Sequence, residues 1–305
     1  MQSIRHFIVD TDLSPLEQDK ILNLALQMKQ HPENYRKHLS GKILGMIFTK
    51  HSTRTRVSFE AGIMQLGGGA IFLSGHDTQL GRGEPITDMG EVLSRYLNIL
   101  MIRTYAHEDV VKLAHVSKIP VINGLDDLYH PCQALADLLT IREHFGTTQG
   151  KKLVYLGDGN NVAHSLLLAG VLAGMKVSVV TPEGFAPEKN IVAQAAALAE
   201  NNTDIVTTHD LAATHNADVI YTDVWTSMGQ EQQAETRKQA LQAYQVNQSV
   251  MAQATKDAIF LHCLPAHRGE EVTTEVADGP QSRIFLQAEN RLHVQKALMA
   301  FLLNQ

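Results

Sequence analysis

Short apolar runs alternate with helical segments along almost the whole chain, and few folds accept that order. The runs are "KILGMIFT" (42–49), "GAIFLS" (69–74), "ILMIRTY" (99–105) and "PVING" (120–124). A second set follows with "KKLVYLGD" (151–158), "KVSVVTP" (176–182), "DVIYTDVW" (218–225) and "AIFLHCLP" (258–265). Each is brief and continuously apolar, as a strand buried on both faces must be. Between them lie stretches with helical periodicity: a segment after Ser52, "MGEVLSRY", "HEDVVKLAHVS", "HPCQALADLLTIREHFG", "NVAHSLLLAGVLAG" and "NIVAQAAALAENN". A long terminal helix reads "SRIFLQAENRLHVQKALMAFLL". Strand and helix in alternation imply parallel sheets covered by helices on both faces, so the expected class is α/β with doubly wound sheets. The polar stretch "GTTQGK" (146–151) separates the two series, and a chain of 305 residues is long for one core.

Helix starts are marked chemically. Ser14, Pro15 and Glu17 form a capping box with proline at the first helical position, ahead of an apolar face of Ile21, Leu24, Ala25 and Met28. Ser52 and Thr53 stand where an N-cap belongs, before Val57, Phe59, Ile63 and Leu66. The net charge of −6 argues against a general nucleic-acid binder, which needs a broad basic surface. Two cysteines, Cys132 and Cys263, make neither a disulfide framework nor a thiol-rich zinc set and suit a reducing compartment. No run approaches a membrane span, and "MQSIRHFIVDTDLS" has no apolar signal core, so a cytoplasmic protein is expected.

The chemistry-bearing clusters gather at the carboxyl ends of the expected strands, where open α/β sheets bind ligands. Ser52-Thr53-Arg54-Thr55-Arg56 puts consecutive donors at a helix start, a natural cradle for phosphate; a lone capping residue would be read as structural. "QLGRGEP" (79–85) reads as a mobile loop, a solvated one or a lid or arm. Arg103 ends an apolar strand and must meet an anion, a salt-bridge partner or solvent. His130 and Gln133 in "HPCQ" open a helix and can face one cleft. "GDGNN" (157–161) is an incomplete dinucleotide-binding turn, because Val162 replaces the third glycine; Asn160 and Asn161 can bind a polar ligand there instead. Asp223 at a strand end caps the next segment or holds an ammonium. Cys263 at another strand end is an inert thiol or a ligand contact. Arg291 by itself would be an unremarkable helix arginine. None of the histidine spacings makes a zinc set.

Taken in order, "STRTR", "QLGRGEP", "MIRTY", "HPCQALADL", "DGNN", "DVWTSMGQE", "HCLPAHRGEE" and "AENRLH" resemble the aspartate/ornithine carbamoyltransferase family, from about residue 40 to the C-terminus. "STRTR" with "HPCQ" looks like a carbamoyl-phosphate site, and "SMG" with "HCLP" resembles the ornithine branch rather than the aspartate branch. The resemblance implies a carbamoyl-phosphate domain over 1–146 with the terminal helix 284–305 packed on it, and an amino-acid domain over 147–283. It implies carbamoyl-phosphate contacts from Ser52, Thr53, Arg54, Thr55, Arg103, His130, Gln133, Cys263, Leu264 and Arg291. Gln79 would reach the site of a neighbouring subunit in a homotrimer. Asn161, Asp223, Ser227 and Met228 would bind L-ornithine, with Arg103, His130 and Cys263 nearest the chemistry. No cofactor or metal is implied, and carbamoyl phosphate and L-ornithine are the expected partners. Thr49 stands where the family commonly has Glu, and Met89-Gly90-Glu91 replaces a "TAR"-like segment.

Overall fold

A computed structural model describes residues 4–75, 83–201, 204–226, 232 and 234–304. The chain divides into two compact units, Met1–Leu139 with Asn290–Gln305, and Thr140–Glu289. The first unit holds α1 (Pro15–Gln30), β1 (Ile43–Phe48), α2 (Thr53–Gln65), β2 (Gly69–Ser74), α3 (Ile86–Leu93), β3 (Ile99–Arg103), α4 (His107–Val116) and β4 (Val121–Leu125). Next comes α5 (Pro131–Phe145), which begins in the first unit and ends in the second. The second unit continues with β5 (Lys152–Leu156), α6 (Asn161–Leu172), β6 (Lys176–Val180), α7 (Lys189–Leu198), β7 (Ile205–Thr208) and β8 (Val219–Thr222). It closes with α8 (Ala234–Leu241), α9 (Gln248–Gln253), β9 (Ile259–His262) and α10 (Thr274–Ala277); α11 (Ile284–Leu303) then returns the chain to the first unit.

Both sheets are wholly parallel. Their orders are β2-β1-β3-β4 and β7-β6-β5-β8-β9. Strands β3 and β4 are buried at every position, and β8 and β9 likewise, as the unbroken apolar runs require. One core cluster joins Ile47, Leu100, Ile102 and Val121 to Val110 and Leu113 of α4. A second joins Val154, Leu156, Ile220 and Phe260 to Val250, Val276 and Ile284.

The capping box at Ser14 forms as read, with Glu17 accepting from the Ser14 amide at 2.9 Å. The division into units falls at Leu139/Thr140 and Glu289/Asn290, within α5 and α11, which run on as unbroken helices through both changes of unit. Two expectations are corrected. Val57 is 57% exposed, so the inner face of α2 is carried by Phe59, Ile63 and Leu66. The helix read from Met89 starts earlier, at Ile86, because Pro85 fixes its entry.

Candidate active site

In the first sheet the chain leaves β1 toward β2 on one side and then returns to β3 on the other. The crevice at the carboxyl ends of β1 and β3 is therefore the topological switch point. Phe48 and Arg103 are the register partners that end those strands. Beyond Phe48, Ser52 takes extended backbone (φ −166°, ψ 124°) and caps α2, its Oγ accepting from the Thr55 amide at 3.1 Å. Thr55 is completely buried, and its Oγ1 accepts from Arg291 Nη2 at 2.9 Å and from Arg103 Nη1 at 3.5 Å. With both guanidinium groups donating to that oxygen, the threonine keeps its own proton for a further acceptor. Arg291 Nη1 also donates to Gln133 Oε1 at 3.1 Å, and Gln133 Nε2 donates to Asp137 Oδ1 at 2.8 Å. Arg103, Arg291, His130 and Gln133 are all buried. Thr53 and Arg54 are exposed on the first turn of α2.

His130 precedes α5 at the same end of the sheet. Burial first, and then the positive charges of Arg291, Arg103, Lys50 and Arg54, push its pKa well below the usual imidazole value. It is a neutral ring among cations, able to donate one N–H without giving up a proton. The loop that carries it is tied to the fully buried Asp126. That carboxylate accepts from the Leu128 and Tyr129 amides at 2.8 and 2.7 Å and from Asn123 Nδ2 at 2.8 Å. Lys50, also buried, pairs with Asp127 at 2.8 Å and lies 4.8 Å from the centre of the Tyr105 ring. Sequence reasoning passed over Lys50 and Asp126, although a lysine directly before the hydroxyl-rich helix start was a signal within reach. Gln79 lies outside the described residues.

The second sheet reverses direction between β5 and β8, and its switch point collects the other candidates. Asp223, immediately after β8, is buried. Its Oδ2 accepts from Asn160 Nδ2 at 2.9 Å, and its Oδ1 accepts from the Val224 amide at 2.8 Å and from Cys263 Sγ at 2.9 Å. Asn160 is the N-cap of α6: its Oδ1 accepts from the amides of Val162 (3.0 Å) and Ala163 (3.3 Å) and from the Tyr155 hydroxyl (3.4 Å). Of the two asparagines in "GDGNN" it is Asn160 that touches Asp223, while Asn161 is half-buried as the first residue of α6. Gly157 of that turn takes a positive φ of 140°, and Gly159 serves packing. A Cβ at Gly159 would stand 2.2 Å from the Pro187 nitrogen.

Cys263 follows β9, and Leu264 after it holds a left-handed backbone (φ 62°). The Leu264 amide donates to His262 Nδ1 at 2.9 Å, which leaves the proton on Nε2, 3.1 Å from Glu271 Oε1. His262 and Glu271 are completely buried. A side chain in the left-handed region costs about 1–3 kcal/mol, so this buried pair fixes a strained corner beside the thiol. Asp158 is ion-paired with Arg237 of α8, whose Nε donates to the Trp225 carbonyl at 2.6 Å. Ser227 and Met228 lie outside the described residues.

Among the described residues two groups have ligand-type atoms within 4.8 Å of one another: Asp223, His262 and Cys263, and His267, Glu270 and Glu271. In the first, the two ring nitrogens of His262 face the Leu264 amide and Glu271, and the thiol donates to Asp223. Neither cysteine is in a disulfide. Cys132 is fully buried, its Sγ 3.4 Å from the Asn123 carbonyl, and burial pushes its thiol up to about 12.

Family models match both parts of the chain. Residues 5–143 match the carbamoyl-P binding domain of aspartate/ornithine carbamoyltransferase, and residues 149–302 match its Asp/Orn binding domain. Over 303 residues the chain is 54% identical to an ornithine carbamoyltransferase of Halalkalibacterium halodurans, covering 98% of this chain and 95% of that one. Over 281 residues it is 56% identical to one from Methanobrevibacter smithii, covering 92% and 93%. The structure of ornithine carbamoyltransferase from Pyrococcus furiosus superposes with a TM-score of 0.93 at 50% identity, covering 97% and 96%. That of the anabolic ornithine carbamoyltransferase from Campylobacter jejuni gives 0.92 at 39% identity, covering 99% and 100%.

Proposed function

The chain belongs to the aspartate/ornithine carbamoyltransferase family, and from that premise we propose that it transfers the carbamoyl group of carbamoyl phosphate to the δ-amino group of L-ornithine, giving L-citrulline and phosphate. The observation that carries this reading is the buried cationic cluster of Arg103 and Arg291 on Thr55, beside a neutral His130. Such a cluster in a dry crevice favours a substrate whose phosphate leaves with more negative charge than it brought.

Each side chain has a task in the transfer. The exposed Thr53 and Arg54, with the backbone amides at the start of α2, take the phosphate oxygens. The Thr55 hydroxyl, Arg103 and the His130 N–H donate to the carbonyl oxygen, which turns negative as the δ-nitrogen attacks the carbonyl carbon. The C–N bond forms, the C–O bond to phosphate breaks with its electron pair on the phosphate, and the amine releases one proton. That amine must be neutral, whereas a free alkyl ammonium has a pKa of about 10.4. The positive field of the cluster favours the deprotonated form. Gln133 orients Arg291.

The acceptor half is built around Asp223, with Cys263 and Asn160 holding its two oxygens in place. A carboxylate there draws the α-ammonium of ornithine, and Asn161, Ser227 and Met228 complete that set. In the same reading Cys263 and the Leu264 backbone contact the carbamoyl group. No cofactor takes part.

The reading includes a homotrimer in which Gln79 of one copy reaches the cradle of the next. Its support is a pocket of about 550 Å³ at Ser52, Thr53 and Arg56, lined also by the exposed apolar side chain of Val57. A cytoplasmic location belongs to the same reading, supported by two cysteines outside any disulfide; no described helix is long and apolar enough to cross a membrane. The test is citrulline formation from carbamoyl phosphate with ornithine, aspartate, putrescine and N-acetylornithine offered separately. Turnover with ornithine alone supports the proposal, and turnover with any other acceptor in its place refutes it.

A further inference from the structure

The first unit has a second concave feature that shares no residue with the carbamoyl-phosphate cradle. It is a pocket of about 610 Å³ between the end of α1 and the residues after it, the last turn of α2, and the middle of α11. That volume suits a small organic ligand. Its charged lining is all basic: Lys29, Arg36 and Lys296, with His293, and no carboxylate. Pro32, Leu66 and Leu292 give it an apolar wall.

Lys296 makes the pocket unusual. It is only 2% exposed, and its Nζ donates to the neutral Gln65 Oε1 at 3.1 Å. Among the described residues no carboxylate pairs with it. Burial lowers its pKa. A buried ammonium facing only a neutral amide keeps an uncompensated field, and a low-dielectric wall strengthens that field toward an incoming anion. Arg36 stands exposed at the rim with no ion pair among the described residues. Lys29 Nζ donates to Asn290 Oδ1 at 2.8 Å. A planar fork and compact ammonium groups around one space match the several oxygens of a phosphate better than a single carboxylate.

The helices α2 and α11 that wall the pocket pack closely: a Cβ at Gly62 would stand 3.3 Å from Lys296 Cγ. The same two helices present Thr55 and Arg291 at other turns, Thr55 lying about 15 Å along α2 from Gln65 at 1.5 Å per residue.

We propose that this pocket binds a small phosphate monoester, its phosphate held by Lys296 and Arg36 and its apolar ester group lying on Leu66 and Leu292. The probe is phenyl phosphate, titrated calorimetrically, with phenol as the uncharged control. In an Arg54→Met variant, which weakens the cradle, phenyl phosphate is expected to bind with its affinity at this pocket intact. Adding Arg36→Ala or Lys296→Met is expected to weaken it about tenfold each, as for losing one charge-assisted contact. The Arg36 side chain is exposed, so Arg36→Ala keeps the fold, checked by an unchanged melting temperature. An affinity in both pocket variants unchanged from that of the Arg54→Met protein overturns the proposal. Loss of all phenyl phosphate binding on Arg54→Met alone also overturns it, because the cradle is then the only phosphate site. A changed assembly state in the pocket variants without any phenyl phosphate binding gives the face to a second copy of the chain and overturns it as well.

Discussion

Replacing Asp223 by asparagine keeps the shape of the side chain and inverts part of its hydrogen bonding. The carboxylate accepts on both oxygens: from Asn160 on one, from the Val224 amide and Cys263 on the other. An amide has one accepting oxygen. If that oxygen stays toward Val224 and Cys263, its NH₂ meets the NH₂ of Asn160. Asn160 cannot turn to present its oxygen instead, because that oxygen caps α6 through the Val162 and Ala163 amides. If the new amide turns the other way, the Val224 amide loses its acceptor. The first orientation loses one hydrogen bond and the second loses those from both Val224 and Cys263, so Asp223→Asn should cost about 1–3 kcal/mol of stability. The larger effect falls on the acceptor substrate, which loses a buried counter-charge worth about 3 kcal/mol; KM for ornithine should rise roughly a hundredfold. KM for carbamoyl phosphate should move less, since Thr55, Arg103 and His130 are undisturbed and Cys263 is the contact it shares with Asp223. The assay is initial-rate citrulline formation with each substrate varied at a saturating level of the other. An ornithine KM within about threefold of the parent, with the loss confined to kcat, would refute the assignment of Asp223 to the α-ammonium.

Thr55→Val removes the shared acceptor of Arg103 and Arg291 without changing side-chain volume much; about 2–3 kcal/mol of stability and at least tenfold in KM for carbamoyl phosphate should go, read by melting and initial rates. His130 has a folded pKa below its unfolded value, so its neutral form contributes stability above about pH 6.5 that is lost as the pH falls below it. Melting temperature should therefore drop on acidification from pH 7 to pH 5, and less steeply in His130→Asn; equal slopes would contradict a buried neutral ring. Iodoacetamide should modify Cys263 in the native protein and spare Cys132, whose thiol is buried and pushed up to about 12. Ornithine with phosphate should slow the reaction at Cys263, as peptide mapping would show.

Much of this arrangement could be read from the chain because its strands are buried on both faces. Runs such as "ILMIR" and "IFLH" carry no alternation to misplace, and the sites at their carboxyl ends follow from topology. What stayed hidden depends on contacts between distant segments. Strand β7, "IVTT", is short and half-exposed at a sheet edge, with too little apolar content to announce itself. Arg237 reads as an ordinary helix arginine until α8 brings it to Asp158. Arg291 likewise becomes a buried partner of Thr55, 236 positions away, only once α11 has returned to the first unit. Which of Asn160 and Asn161 caps α6 is a question of one backbone step that spacing does not decide. The glycines of "GDGNN" suggested a nucleotide turn, yet Gly159 is required by the backbone around Pro187.

The most direct measurement follows the atoms. Carbamoyl phosphate labelled with ¹³C at its carbonyl carbon and ornithine labelled with ¹⁵N at its δ-nitrogen should give citrulline whose ureido carbon is split by that nitrogen in the ¹³C NMR spectrum. Phosphate should be released in a one-to-one ratio with it. Phosphate release without the coupled signal, or label found on the α-nitrogen, would contradict carbamoyl transfer to the δ-amine.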